Sequence, residues 1–289
     1  MTIRKQRRRK LKKKVLSSFK WGSLRMIVMM LTLSMVCINA DGYGSAAHAE
    51  PLKRVAIIID DLGNGMKGTQ EIMNLPAKVN VAIMPFLPTT KKDAELAHQK
   101  GIDVLVHMPM EPHKGRRDWL GPGAITSDLS DEEVRKRVEA AIDNVPHAIG
   151  MNNHMGSKIT TDRRIMSIVL DVCKERGLFF VDSKTDHKSV VAELAVQKGL
   201  PPVENQIFLD DHHSISHITG QMKLAEQKLE TQDTCVMIGH VGTQGHLTAG
   251  VIRDSINRWS GKIETMSISE MVRQVWHWTP ESTLPTSNK

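Results

Sequence analysis

Asp60 and Asp61 stand side by side at the end of the apolar run Val55-Ala56-Ile57-Ile58-Ile59. Two adjacent carboxylates repel each other unless a cation lies between them or one keeps a proton. A divalent metal ion is the usual remedy. Further polar groups end later apolar runs: His107 and Glu111, Asn153 and His154, Asp182, Asp210 and His240. Zinc and related ions accept imidazole nitrogen together with carboxylate oxygen. A histidine set between glycines, as in Gly239-His240-Val241-Gly242, is open to close approach by a ligand. Its ordinary pKa suits it to proton transfer near neutral pH. These residue types together point to a metal site with acid–base groups beside it.

The elements that must carry them alternate regularly. Apolar runs at 54–60, 79–84, 102–107, 147–152, 178–182, 206–210 and 234–240 read as buried strands. Helical patterns fall between and after them, at 66–74, 89–100, 130–144, 161–176, 188–199, 216–230 and 247–259. Ser130-Asp131-Glu132-Glu133 opens one helix as a capping box, and Gly101, Gly177 and Gly199 sit where helices end. Seven βα units imply a parallel sheet with its polar groups gathered at the strand carboxyl ends, where α/β active sites are built. The segment 110–129 is a long loop, of a length that is often functional.

Charge divides the chain of 289 residues. Eleven of its 39 Lys and Arg residues lie within the first 25 positions, and Asp41 is the only acid before Glu50. The remainder carries 28 basic and 31 acidic residues, a mildly acidic balance that gives no argument for nucleic acid as a partner. The basic start, the uncharged stretch 26–40 and Ala47-His48-Ala49 form a secretory signal peptide over residues 1–49, with an uncleaved anchor as the other option. This predicts a periplasmic protein without a membrane span in the mature chain. Residues 50–278 then form a single domain, and residues 279–289 a disordered tail. Cys173 and Cys235 read as two buried thiols.

Gly63-Asn64-Gly65-Met66-Lys67-Gly68 matches the form of a dinucleotide-binding turn. Asp60 and Asp61 would face the pyrophosphate, and the second strand ends in Met84-Pro85 without an acid for a ribose hydroxyl, and both features count against a dinucleotide. His212 and His213 read as residues of a solvated loop.

The set Ile59-Asp60-Asp61-Leu62-Gly63, His107-Met108-Pro109-Met110-Glu111, Asn152-Asn153-His154-Met155-Gly156-Ser157 and Phe208-Leu209-Asp210 resembles the divergent polysaccharide deacetylases, the YibQ-like branch of the NodB-homology superfamily related to carbohydrate esterase family 4. The resemblance covers about residues 51–275. It implies an irregular (β/α)7 barrel, a divalent transition metal (zinc above all) and removal of acetyl groups from a glycan. It implies Asp60 as base, Asp61 and His107 as metal ligands and His240 as acid. The superfamily's second metal-binding His falls on Glu111 here, so Glu111 or His154 completes the set. His154 is favoured, because two imidazoles and one carboxylate leave an open position for water. Asp182 corresponds loosely to the carboxylate that orients the acid. Asn153, Glu111, Asp182 and Asp210 are the candidates for substrate contact. The replaced histidine also leaves open a barrel that binds glycan without turning it over.

Overall fold

The structure is a computed structural model, and it describes residues 52–259 and 261–280. The predicted signal peptide at 1–49 and nearly all of the predicted tail lie outside the described residues. Nine strands form one parallel sheet: β1 (Lys53–Leu62), β2 (Asn80–Ile83), β3 (Asp103–Met110), β4 (Ala148–Met155), β5 (Phe179–Asp182), β6 (Val203–Glu204), β7 (Ile207–Phe208), β8 (Thr234–His240) and β9 (Ile263–Thr265). The spatial order is β6-β5-β4-β3-β2-β1-β8-β7, with β9 added beside the start of β1. The helices are α1 (Thr69–Met73), α2 (Thr90–Gln99), α3 (Asp131–Asn144), α4 (Arg163–Glu175), α5 (Val191–Lys198), α6 (Ile215–Leu229), α7 (Gly245–Trp259) and α8 (Ile268–Val275). The sheet curls into a half-barrel of the kind the sequence predicts.

Strand alternation divides the core in two. Val55, Ile57 and Ile59 of β1 pack with the apolar faces of the surrounding helices, including Val169 and Leu170 of α4 and Ile252 of α7. Ala56 and Ile58 face the concave side with Ala82, Leu105, Val181, Val236 and Ile238. Both faces of the sheet are covered, which is why these strands read as unbroken apolar runs. Each fully buried Ile or Leu contributes roughly 1.5–3 kcal/mol of transfer free energy.

The concave side is filled at its base by Ile268, Met271 and Val272 of α8. This helix, β6 and β9 are the elements that sequence periodicity does not reveal. Asn80, fully buried, fixes α8 in place. Its amide donates to the Ile57 carbonyl (2.9 Å), and its oxygen accepts the Ile268 N–H (2.7 Å).

The two ends of the sheet meet through the chain itself. β6 and β7 lie at opposite edges, yet only Asn205 and Gln206 separate them in sequence. The Asn205 N–H donates to Asp182 O on one side, and the Gln206 N–H donates to Val236 O on the other (2.8 and 2.9 Å). Cys173 and Cys235 are separate buried thiols, each pushed up to about 12 by burial.

Candidate metal and catalytic site

The concave side changes character at the carboxyl ends of the strands. Going up β1, the inward residues are Ala56, Ile58 and Asp60; on β3, Leu105 and His107; on β4, Asn152 and His154; on β8, Val236, Ile238 and His240. Register brings these upper residues level. Asp60 pairs with His240 across β1 and β8, and His107 pairs with Asn152 across β3 and β4.

In a regular strand Asp60 and Asp61 would point to opposite faces. The pairing of β1 with β2 is irregular between Ile59 and Leu62, and Asp61 adopts φ 69°. A bulge of this kind re-aims a side chain. Asp is among the few residues that tolerate the left-handed region, at a cost on the order of 1 kcal/mol.

Three ligand atoms meet as a result. Asp61 Oδ1 lies 3.0 Å from His154 Nδ1 and 3.3 Å from His107 Nε2, and the two nitrogens are 3.1 Å apart. Asp61 Oδ1 is buried without a hydrogen-bond partner. The outer nitrogens of both rings are already committed. His107 Nδ1 faces Asn152 Oδ1 (2.8 Å), whose orientation is set because its amide donates to Asp60 Oδ1 (2.9 Å). His154 Nε2 faces the Trp119 carbonyl (3.2 Å). Each ring therefore keeps its N–H outward and turns a lone pair inward. Two lone pairs and a carboxylate oxygen aimed at one point repel each other without a cation. Bonds of about 2.0–2.1 Å in a tetrahedral zinc site put ligand atoms about 3.3–3.4 Å apart, close to this triangle. The three residues thus fit a metal ion, with coordination positions left over.

The charges around the cluster follow from burial and proximity. Burial works to raise the Asp61 carboxyl, but the His107 and His154 imidazoles against it outweigh burial and hold it well below the usual carboxylate range. Asp60, 1 % exposed, is pushed up by burial more than His107 and His240 pull it down. Burial also works to lower His240. The hydrogen bond to Asp210 and the nearby carboxylates of Asp60 and Asp61 overcome it and raise His240 to about 9. Asp210 Oδ1 accepts from His240 Nδ1 (2.7 Å), and its Oδ2 accepts the His240 main-chain N–H (2.9 Å) and the Thr248 hydroxyl (2.7 Å). The stacked Phe208 ring completes the setting of His240.

The other sequence-predicted residues lie elsewhere. Asn153 points away from the concave side. It accepts the Ser183 N–H (2.9 Å) and donates to the Met155 carbonyl (2.7 Å), tying β4 to the segment after β5. Its neighbour Asn152 is the amide that reaches the cluster, and the period of two shared with His154 was the signal for it. Glu111 accepts the Ser127 N–H (2.8 Å) and pairs with Lys158 Nζ (2.9 Å), so it fastens the 110–129 loop and stays outside the ligand cluster. Asp182 is not the carboxylate that orients His240. It sits on β5, toward the far edge of the sheet, and accepts the Lys184 N–H (2.8 Å). Asp210 takes that place because β7 lies beside β8.

Residues 57–272 match the family of divergent polysaccharide deacetylases. The chain belongs to this family. Its relatives include an uncharacterized protein of Haemophilus influenzae, 32% identical over 217 residues that span 75% of this chain and 76% of the relative. The uncharacterized protein YibQ of Escherichia coli is 30% identical over 187 residues, 65% of this chain and 58% of that protein. Among solved structures, an uncharacterized protein from Agrobacterium tumefaciens C58 superposes with a TM-score of 0.70 at 18% identity, over 78% of this chain and 91% of that one. The Xyl-CE4 domain of a multidomain xylanase from the hindgut metagenome of Trinervitermes trinervoides gives 0.51 at 11% identity, over 79% and 93%. The fold is thus that of the deacetylase barrels, and membership of the polysaccharide deacetylase family supports a hydrolase class for the chain.

Proposed function

We propose that this protein is a metal-dependent hydrolase that removes acetyl groups from a glycan of the cell envelope. The observation that carries this reading is the convergence of Asp61 Oδ1, His107 Nε2 and His154 Nδ1, with Asp60 and His240 at the same end of the barrel. A zinc ion held by these three residues would lower the pKa of water and polarise an acetamide carbonyl.

The chain's own residues supply the proton transfers. Asp60, oriented by Asn152, takes the proton of the attacking water. His240 has its Nδ1 fixed on Asp210, which leaves Nε2 to protonate the departing amine. Its raised pKa keeps that proton in place at neutral pH. Acetate and a free amino sugar leave. Trp119, exposed in the loop above His154, offers a ring for a sugar to stack on.

The basic start, apolar stretch and Ala47-His48-Ala49 support export to the periplasm. None of the described helices is long and apolar enough to cross a membrane.

Elemental mass spectrometry of residues 50–289, purified without chelator, tests the metal; acetate release from N-acetylated oligosaccharides tests the reaction. The expected result is about one transition metal per chain, lost on His107→Ala, and turnover that Asp60→Asn abolishes while the metal stays bound. A chain that stays metal-free after incubation with zinc and cobalt would overturn the hydrolase reading in favour of a glycan-binding barrel.

A further inference from the structure

Asn152 contacts both halves of the site through one amide group. It is fully buried, between Gly150 and His154 on the inward face of β4. Its Nδ2 donates to Asp60 Oδ1 (2.9 Å), and its Oδ1 faces His107 Nδ1 (2.8 Å). An amide has one donor end and one acceptor end. With the donor end committed to a carboxylate that can only accept, the acceptor end must meet His107, and His107 must carry its proton on Nδ1. One side chain thereby orients the carboxylate beside the cluster and selects the tautomer that turns the His107 Nε2 lone pair toward Asp61 and His154.

We infer that Asn152 is the positioning residue that sets the orientation of Asp60 and the metal-binding tautomer of His107 together. This rests on the proposed hydrolase reading and goes beyond it, since neither the ligand set nor the acid–base pair requires that one residue serve both. Strand geometry supports the coupling. Asn152 lies in direct register with His107, so its side chain cannot follow one partner without leaving the other. Other hydrogen bonds fix the two remaining groups: Trp119 O holds His154, and Asp210 holds His240.

Two substitutions separate the two functions. Asn152→Ala removes both contacts. Asn152→Asp keeps the shape and the acceptor for His107 Nδ1–H, but sets an oxygen where Asp60 Oδ1 had a donor. The side-chain 15N–1H spectrum of metal-free protein, at a pH where the His107 ring is neutral, reads the tautomer. A zinc titration reads affinity, and steady-state deacetylation reads kcat and KM.

The expected wild-type and N152D spectra show His107 protonated on Nδ1, and N152A loses that signature. Zinc affinity falls about 10–100-fold in N152A, and N152D binds at least as tightly as wild type. In N152D kcat falls about 100-fold with KM unchanged, the effect of misplacing one reacting group by about 1 Å. Wild-type zinc affinity with the Nδ1 proton retained in N152A would overturn the role at His107, and wild-type kcat in N152D would overturn the role at Asp60. If neither wild type nor variants bind zinc, the hydrolase reading itself falls and this inference with it. That outcome differs from tight zinc binding in both wild type and N152A, which removes only the part played by Asn152.

Discussion

Replacing Asp210 by Asn removes a charge and almost no volume. Asp210 is nearly completely buried, and its two oxygens accept three hydrogen bonds, two of them from His240. The Asn amide can present its oxygen to only one side. If that oxygen keeps His240 Nδ1–H, the NH2 group faces the His240 main-chain N–H, which cannot turn away. Burial alone would lower His240, and the Asp210 hydrogen bond leads the effects that carry it from 6.5 to about 9. The whole displacement corresponds to about 3 kcal/mol, at roughly 1.4 kcal/mol per pH unit. Asp60 and Asp61 still act in the variant, so His240 should fall by more than about one pH unit without reaching the lower limit set by its burial.

The sign of the stability effect follows from linkage. A histidine raised on folding contributes stability that is complete below pH 6.5 and lost as the pH rises through about 9. Asp210→Asn should therefore destabilise the protein most near pH 6, by on the order of 2 kcal/mol, and the gap should narrow toward pH 10. An NMR titration of the His240 ring in metal-free protein, with urea unfolding at pH 6 and pH 10, measures both quantities. Identical His240 titration curves in wild type and variant, or a stability gap that widens with pH, would refute the reasoning.

Three other outcomes are expected. His154→Ala should weaken zinc binding by more than about 100-fold, a larger loss than removal of an outer hydrogen-bond partner causes; unchanged metal content in a chelator competition would remove His154 from the ligand set. Glu111→Gln should leave metal content unchanged and speed hydrogen exchange across residues 111–129, because the Lys158 pair fastens that loop; loss of metal there would make Glu111 a ligand. Gly245→Ala should lower thermal stability by about 1–3 kcal/mol, since the new Cβ would lie 2.4 Å from the Lys67 carbonyl oxygen, and the better helix propensity of Ala recovers only about 1 kcal/mol of this. An unchanged melting temperature would show that the loops after β1 and β8 can move apart freely.

The long strands and the seven helices between and after them were legible because fully buried strands are apolar without a break and the connecting helices are amphipathic. Val203–Glu204 is too short to show a period, and β9 has only three residues. Helix α8 carried a usable signal: Ser267 and Glu270 repeat the Ser130–Glu133 capping pattern. Its apolar face fills the concave side, which the alternation of strands and helices does not predict. The ligand types could be read from strand ends. Which of two neighbours faces inward is a matter of strand phase, and this distinguishes Asn152 from Asn153. Whether Asp182 or Asp210 meets His240 depends on spatial order at the closing edge of the sheet, which local sequence does not contain. The bulge that turns Asp61 toward Asp60's side is likewise a product of pairing with β2.

The placement of β1 has a consequence for how the protein must be made. This strand carries the adjacent carboxylates and is the first of the described elements in the chain. Its partners are β2 beside it in sequence and β8 and β9 about two hundred residues later. Closing such long loops is slow, and the contacts they bring arrive late in folding. A nascent chain that has not reached Thr234 has its two acids in place but no partner along one edge of their strand. A polypeptide shortened before Ile263 would lack the last strand and the helix that fills the concave side. The order of synthesis thus withholds the complete candidate site until almost the whole domain is present, and a carboxyl-terminal truncation should lose metal binding outright rather than in part.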